Sequence, residues 1–120
     1  MNHEMSKNDP KMKACIDSCR SCEDACSSSV PHCVDLGGRH ATSAHITLLL
    51  DCARICATAS DFMVRGSEHH TQVCGICADV CDACAKACEQ FGDDSTMRQV
   101  AHACRQCSKS CHEMSAAATK

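Results

Sequence analysis

This chain of 120 residues has no tryptophan, no tyrosine and only two phenylalanines. It also has no basic run, and its formal net charge is −3. Stacking platforms and a cationic footprint are therefore both missing, which gives no case for nucleic acid. Long apolar runs are absent too. None approaches the ~18 residues a membrane span needs, so no membrane association is expected. Leu, Ile, Val and Phe together number 16, about 13% of the chain and below the ~20% that usually warns of disorder. The opening residues, Met1 to Pro10, carry neither an apolar signal region nor a twin arginine. A cytoplasmic home is expected, where thiols are kept reduced.

What the chain has instead is cysteine, fifteen of them. Cys15, Cys19, Cys22 and Cys26 form one run, and Cys33 follows. Cys52 and Cys56 form a pair. Cys74, Cys77, Cys81, Cys84 and Cys88 form a second run, and Cys104, Cys107 and Cys111 a third. Steps of three and four follow one face of an α-helix. The five thiols of the second run fit an arc of roughly 80° over ~21 Å of helix axis. A helix bundle normally places leucine at such positions. A free cysteine behaves as a small hydrophobe, so thiols can line a core, with less aliphatic burial than leucine supplies. An odd count argues against a complete disulfide framework within one chain.

The spacing predicts an all-α fold, a single domain over 1–120: an antiparallel up-down-up-down four-helix bundle with a cysteine-lined core. The helices are expected at about 9–36, 39–65, 67–91 and 95–116, after a flexible tail over 1–8. Asp9-Pro10 opens the first helix. Pro31 should kink or interrupt it, and Gly37-Gly38 ends it. Gly66 stops the second, Ser67 caps the third, Gly92 follows it, and Asp94 or Ser95 caps the fourth. Connections this short force antiparallel neighbours. Alternating direction then puts Met12, Met63, His70 and Met114 near one end. It puts Cys33, His45, Phe91 and Met97 near the other.

Soft thiolates suit Cu(I), Zn(II) and iron–sulfur clusters. Iron–sulfur motifs wrap a cluster in loops, whereas these thiols lie along helices. Structural zinc wants four closed ligands, far fewer than fifteen. Cu(I) fits best. It accepts two or three thiolates, so a C-x2-C or C-x3-C pair clamps one ion, and each thiolate can bridge to the next. A chain of ions on the order of one per thiolate follows. Met12, Met63, Met97 and Met114 offer soft thioethers at the two mouths.

The ordered pattern C-x3-C-x2-C-x3-C, C-x3-C, C-x2-C-x3-C-x2-C-x3-C, C-x2-C-x3-C resembles the bacterial copper storage proteins. These are cysteine-rich four-helix bundles, formerly a ferredoxin-like domain of unknown function. The likeness runs from about Asp9 to Ser115. It implies many Cu(I) ions per bundle on the cysteines named above, no enzymatic activity, and frequently a tetramer. Exported members carry a twin-arginine signal, so the resemblance is to the cytosolic branch. Helix two departs from the pattern, with Leu49 and Ala59 beside Cys52 and Cys56, and its ends cannot supply thiols.

The metal-ligand candidates are thus all fifteen cysteines with His45, Met63, His70, Met97 and Met114. The plainer reading for the cysteines is small-hydrophobe packing, with Cys33 the least secure because of Pro31. For the methionines it is end-of-core packing. His32, His40, His69, His102 and His112 are expected on the surface. A free amino terminus with His3 offers a square-planar nitrogen site for Cu(II). A second apolar row, Ile46, Leu50, Ala53 and Ala57 with Val73, Ile76, Val80 and Ala83, points to self-association. Zinc is a possible substitute ion, and a copper chaperone or glutathione the expected donor. A thiol–disulfide oxidoreductase would need its C-x2-C at a helix N-terminus, and here the pairs lie mid-helix.

Overall fold

A computed structural model describes residues 9–117, and side chains as far as residue 115. The His3 site and the tail over 1–8 lie outside the described residues. Four helices account for nearly all of it: α1 (Pro10–Leu36), α2 (Ser43–Val64), α3 (His70–Glu89) and α4 (Ser95–Ala117). Each helix packs on its two sequence neighbours, and α4 closes the ring onto α1. The backbones of the diagonal pairs α1–α3 and α2–α4 stay apart among the described residues, and these helices meet only through side chains on the bundle axis. The shape is elongated, 51 × 20 × 19 Å.

Helix ends follow the local chemistry. Asp9 Oδ1 accepts from the backbone N–H of Lys11 at 2.9 Å, and Pro10 occupies the first helical position. Asp94 Oδ1 accepts from the N–H of Met97 at 3.0 Å and so caps α4. Each such cap stabilises a helix start by about 1 kcal/mol. Gly66, at φ 69°, ends α2. Its N–H bonds to Met63 O at 3.0 Å, and the Ser67 N–H bonds to Phe62 O at 3.0 Å. This double reverse bond needs a left-handed residue, which glycine adopts without a Cβ clash.

Three expectations need correction. Pro31 does not interrupt α1, which continues to Leu36 with Pro31 inside it. Pro31 gives up one N–H near the helix end, and Gly37, not proline, closes the helix with its N–H on Cys33 O at 3.1 Å. The second segment does not begin as α-helix. A 3-10 turn over Gly38–Ala41 precedes α2, whose cap is Thr42, with Oγ1 3.2 Å from the His45 N–H. Ser67 is not the α3 cap: its hydroxyl accepts from His69 N in the preceding turn, and α3 starts at His70.

The core is sulfur. All fifteen cysteines are free and buried, and none is more than 1% exposed. Buried aliphatics are few: Ile16, Leu49 and Val100, with small alanines such as Ala59, Ala78 and Ala85 between the thiol rows. Met12, Met63, Met97 and Met114 are buried and close the two ends. On the outside, Arg105 makes a bidentate pair with Glu89 at 2.8 and 2.9 Å across α3–α4. That pair is solvent-exposed, so water and salt screen it and it adds little to stability.

Candidate metal centre

Cysteines from all four helices meet on the bundle axis because the three-and-four spacing puts each thiol row on an inward face. Across the helices the sulfurs stand at van der Waals distance. Cys15 and Cys19 each lie 3.6 Å from Cys111. Cys107 lies 3.6 Å from Cys19 and 3.8 Å from Cys56. Cys56 lies 3.7 Å from both Cys77 and Cys81. Cys52 lies 3.7 Å from Cys81 and 3.8 Å from Cys22. Cys104 lies 3.6 Å from Cys22 and 3.9 Å from Cys26.

These contacts form a lattice rather than separate pockets. Cys15, Cys74 and Cys111 make a group of three at one end. The sulfurs of Cys19, Cys77, Cys107 and Cys111 make a group of four, all within 4.8 Å of one another. The next group, Cys56, Cys77, Cys81 and Cys107, shares Cys77 and Cys107 with it. The group Cys22, Cys52, Cys56 and Cys81 shares Cys56 and Cys81. The group Cys22, Cys26, Cys52 and Cys104 shares Cys22 and Cys52. Neighbouring four-thiol groups thus hold two sulfurs in common along the axis. At a metal–sulfur reach of ~2.3 Å, two sulfurs on one tetrahedral ion stand about 3.8 Å apart. The groups therefore admit metal with little movement. A closed zinc site keeps four ligands to itself, which shared sulfurs cannot do at every group. Soft ions that accept bridging thiolates can fill all of them.

The thiol rows continue toward the far end, where Cys84 and Cys88 are buried on the α3 stripe. Cys33 is buried, with its sulfur 3.9 Å from the Met97 thioether, so Pro31 does not turn it outward. His45 is 6% exposed, and its Nε2 is buried without a hydrogen-bond partner. Phe91 packs on the His45 ring at 5.0 Å. At the opposite end His70 is 6% exposed. Its Nδ1 lies 2.9 Å from the Ser67 carbonyl and donates to it, leaving Nε2 with the lone pair. Both histidines thus present a nitrogen able to ligate. Met12, Met63 and Met114 are buried at that end, each on the stripe its cysteines follow.

Proton chemistry inside the lattice follows from the same contacts. A thiolate is stabilised where neighbouring S–H groups donate to it, and the donors are correspondingly harder to ionise. The contact with Cys104 lowers the Cys52 pKa to about 7, and the contact with Cys111 lowers that of Cys107 to about 7. Cys104 is pushed up, foremost by its bond to Cys22, and Cys111 by its bond to Cys107. Burial pushes Cys33 up, helped by the charges of Asp94 and Cys84. Incoming metal replaces the thiol protons. Burial lowers the pKa of His45, which favours the neutral, ligating imidazole.

Sequence reasoning placed His32 and His40 on the surface, and here it missed a contact. Both bond the carboxylate of Asp94, at 2.8 and 2.9 Å. The signal available in the sequence was only the position of Asp94 as a cap. His69 is exposed as expected, and His112 sits 3.2 Å from Asp82 on the exposed face of α3–α4.

Comparison with known proteins agrees with this geometry. The family model described as copper storage protein matches residues 8–116. A cysteine-rich protein of Bacillus subtilis strain 168, YhjQ, is 35% identical over 104 residues, covering 87% of this chain and 95% of that protein. A crystal structure of a protein from Nitrosospira multiformis superposes with a TM-score of 0.86 at 41% identity. It covers 92% of this chain and 99% of its own. The Cu(I)-bound structure of a copper storage protein, BsCsp3, superposes with a TM-score of 0.81 at 33% identity, covering 88% and 98%. With a family match over almost its whole length and a fold that superposes on a copper storage protein, the chain belongs to the copper storage protein family.

Proposed function

We propose that this protein stores Cu(I) inside its bundle, on the order of one ion per cysteine thiolate. The observation that carries this reading is the sharing of two sulfurs between successive four-thiol groups along the axis. Cys15, Cys19, Cys22, Cys26, Cys33, Cys52, Cys56, Cys74, Cys77, Cys81, Cys84, Cys88, Cys104, Cys107 and Cys111 are the ligands. His70, Met63 and Met114 serve one mouth, and His45 and Met97 the other. Charge balance supports monovalent cargo, because each Cu(I) that enters replaces one thiol proton. The protein performs no catalysis: its thiols are buried, and a nucleophile needs access.

Free thiols throughout the core favour a reducing compartment, and the cytoplasm fits. A chaperone or glutathione would deliver the ions there. Self-association into a tetramer is supported by Leu50 on α2, 51% exposed, and Ile76 on α3, 56% exposed. No helix among the described residues is long and apolar enough to cross a membrane.

Titration of reduced, metal-free protein with Cu(I) against a competing chelator tests the reading. Tight uptake near one ion per cysteine is expected. Saturation at one to four ions would instead assign a zinc-type site and leave most of the lattice unexplained.

A further inference from the structure

At the end of the bundle where Cys33 meets Met97, three side chains from three elements converge outside the thiol lattice. His32 at the end of α1 places Nε2 2.8 Å from Asp94 Oδ2. His40 on the 3-10 turn places Nε2 2.9 Å from the same oxygen. The two imidazoles stand edge to face, with centroids 5.9 Å apart and planes at 82°. The other carboxylate oxygen of Asp94 accepts from the Met97 N–H at 3.0 Å, which fixes how the carboxylate faces the rings. Phe91 backs the His40 ring at 4.1 Å. Asp94, His40 and His32 side chains are 14%, 20% and 34% exposed, so the cluster is walled on the protein side and open on the other.

We infer that His32, His40 and Asp94 form a site for a divalent transition-metal ion, with Zn(II) the best fit, separate from the sulfur core. Two imidazoles and one carboxylate are a recurrent zinc donor set, with water in the fourth position. The open side supplies that position. At metal–ligand bonds of ~2.0–2.2 Å, tetrahedral ligand atoms stand about 3.3 Å apart. The present nitrogen–oxygen distances are about half an ångström shorter, within reach of small ring rotations. The Met97 N–H and the Phe91 ring are the outer partners that hold such ligands in place. Nitrogen and oxygen donors suit Zn(II) and leave Cu(I) to the soft core, so the two sites separate metals by donor softness. On binding, each Nε2 proton now shared with Asp94 is released or moves to Nδ1, and the nitrogen lone pair goes to the ion. A bound ion would tie α1, the 3-10 turn and α4 together beside Cys33 and Met97.

The test uses protein whose core is first filled with Cu(I), so that added Zn(II) meets no free thiols. Calorimetry and side-chain nitrogen spectra of the histidines follow the titration. One zinc per chain is expected, with the His32 and His40 signals shifting while His69 and His102 stay. His32→Ala and His40→Ala should each weaken zinc at least about tenfold and leave copper capacity unchanged. Asp94→Ala is avoided because it also removes the α4 cap. No zinc uptake by the filled wild type, or uptake that survives the double histidine variant, overturns the site and leaves a hydrogen-bonded clasp. Copper capacity is measured first, so failure to fill the core counts against storage alone. In that event the reduced, metal-free protein is titrated with cadmium-113, whose resonance separates nitrogen–oxygen from thiolate coordination. A nitrogen–oxygen resonance that vanishes in the histidine variants supports the site, and its absence overturns it.

Discussion

The sulfur of Cys22 lies 3.6 Å from the sulfur of Cys104, joining α1 to α4 across the bundle. The same sulfur is 3.8 Å from Cys52 on α2 and 4.0 Å from Cys81 on α3. One side chain thus touches all three other helices, and it belongs to two of the four-thiol groups. Cys22→Ala should therefore remove more than one Cu(I) from the total. Metal-free stability should change by only about 1 kcal/mol, because a thiol is a small hydrophobe that a methyl group partly replaces. Copper titration and denaturant unfolding of the same variant check both halves. Loss of a single ion would mean that the groups fill independently.

Burial controls access to these thiols. With all fifteen at 1% exposure or less, a thiol reagent must wait for the native protein to open. Reaction of the reduced, metal-free protein should be slow under native conditions. In denaturant it should be fast and reach fifteen thiols per chain. Copper loading should slow the native reaction further. A rapid native reaction of most thiols would contradict the closed core.

Leu49 is among the few large aliphatic side chains in the core, fully buried on α2 one turn from Cys52. Leu49→Ala should cost about 2–5 kcal/mol of metal-free stability. Copper binds the folded state and raises its stability by mass action. The loss should therefore show in the metal-free protein and be masked in thermal scans of the loaded one.

Gly75 sits inside α3 between Cys74 and Cys77, where alanine favours helix by about 1 kcal/mol. A Cβ there would meet Ser115 Oγ at 3.1 Å. That hydroxyl ends a half-buried side chain close to the end of α4 and can rotate away. Gly75→Ala should raise stability by about 0.5–1 kcal/mol. Destabilisation would show that α3 and α4 approach too closely here for Ser115 to yield.

Acid should loosen the bundle through His45. Burial lowers its folded pKa below the ordinary 6.5. The unfolded chain therefore takes up a proton at this residue that the folded chain resists. The stability from the neutral buried ring is complete above about pH 6.5 and falls as pH drops through its lowered folded value. Denaturant midpoints from pH 7.5 to 5 should decline, and His45→Gln should flatten the decline. An equal slope in the variant would assign the pH effect to other groups.

Much of this site was legible in the sequence because sulfur placement depends on a short-range rule. A helix advances about 100° per residue, so Cys74, Cys77, Cys81, Cys84 and Cys88 had to share a face once α3 formed. The boundary chemistry at Asp9, Gly37, Gly66 and Asp94 was equally local. A proline near the C-terminal end of a helix removes one hydrogen bond without stopping the chain, so α1 passes through Pro31 without interruption and keeps Cys33 on its inward stripe. What the sequence reading missed was also local. The 3-10 turn at Gly38–Ala41 has no hydrophobic period to announce it.

Sequence alone therefore determined that the chain forms a four-helix bundle and that its inward faces carry thiols, since both follow from periodicity and caps along one strand of chain. The tertiary structure decided which thiols share a group. Pairings such as Cys22 with Cys104, or Cys56 with Cys107, depend on the axial stagger of separate helices, and no spacing within one helix specifies that. It also decided the fate of His32 and His40, residues from different elements that meet only because Asp94 caps α4 at the end where α1 and the 3-10 turn come together.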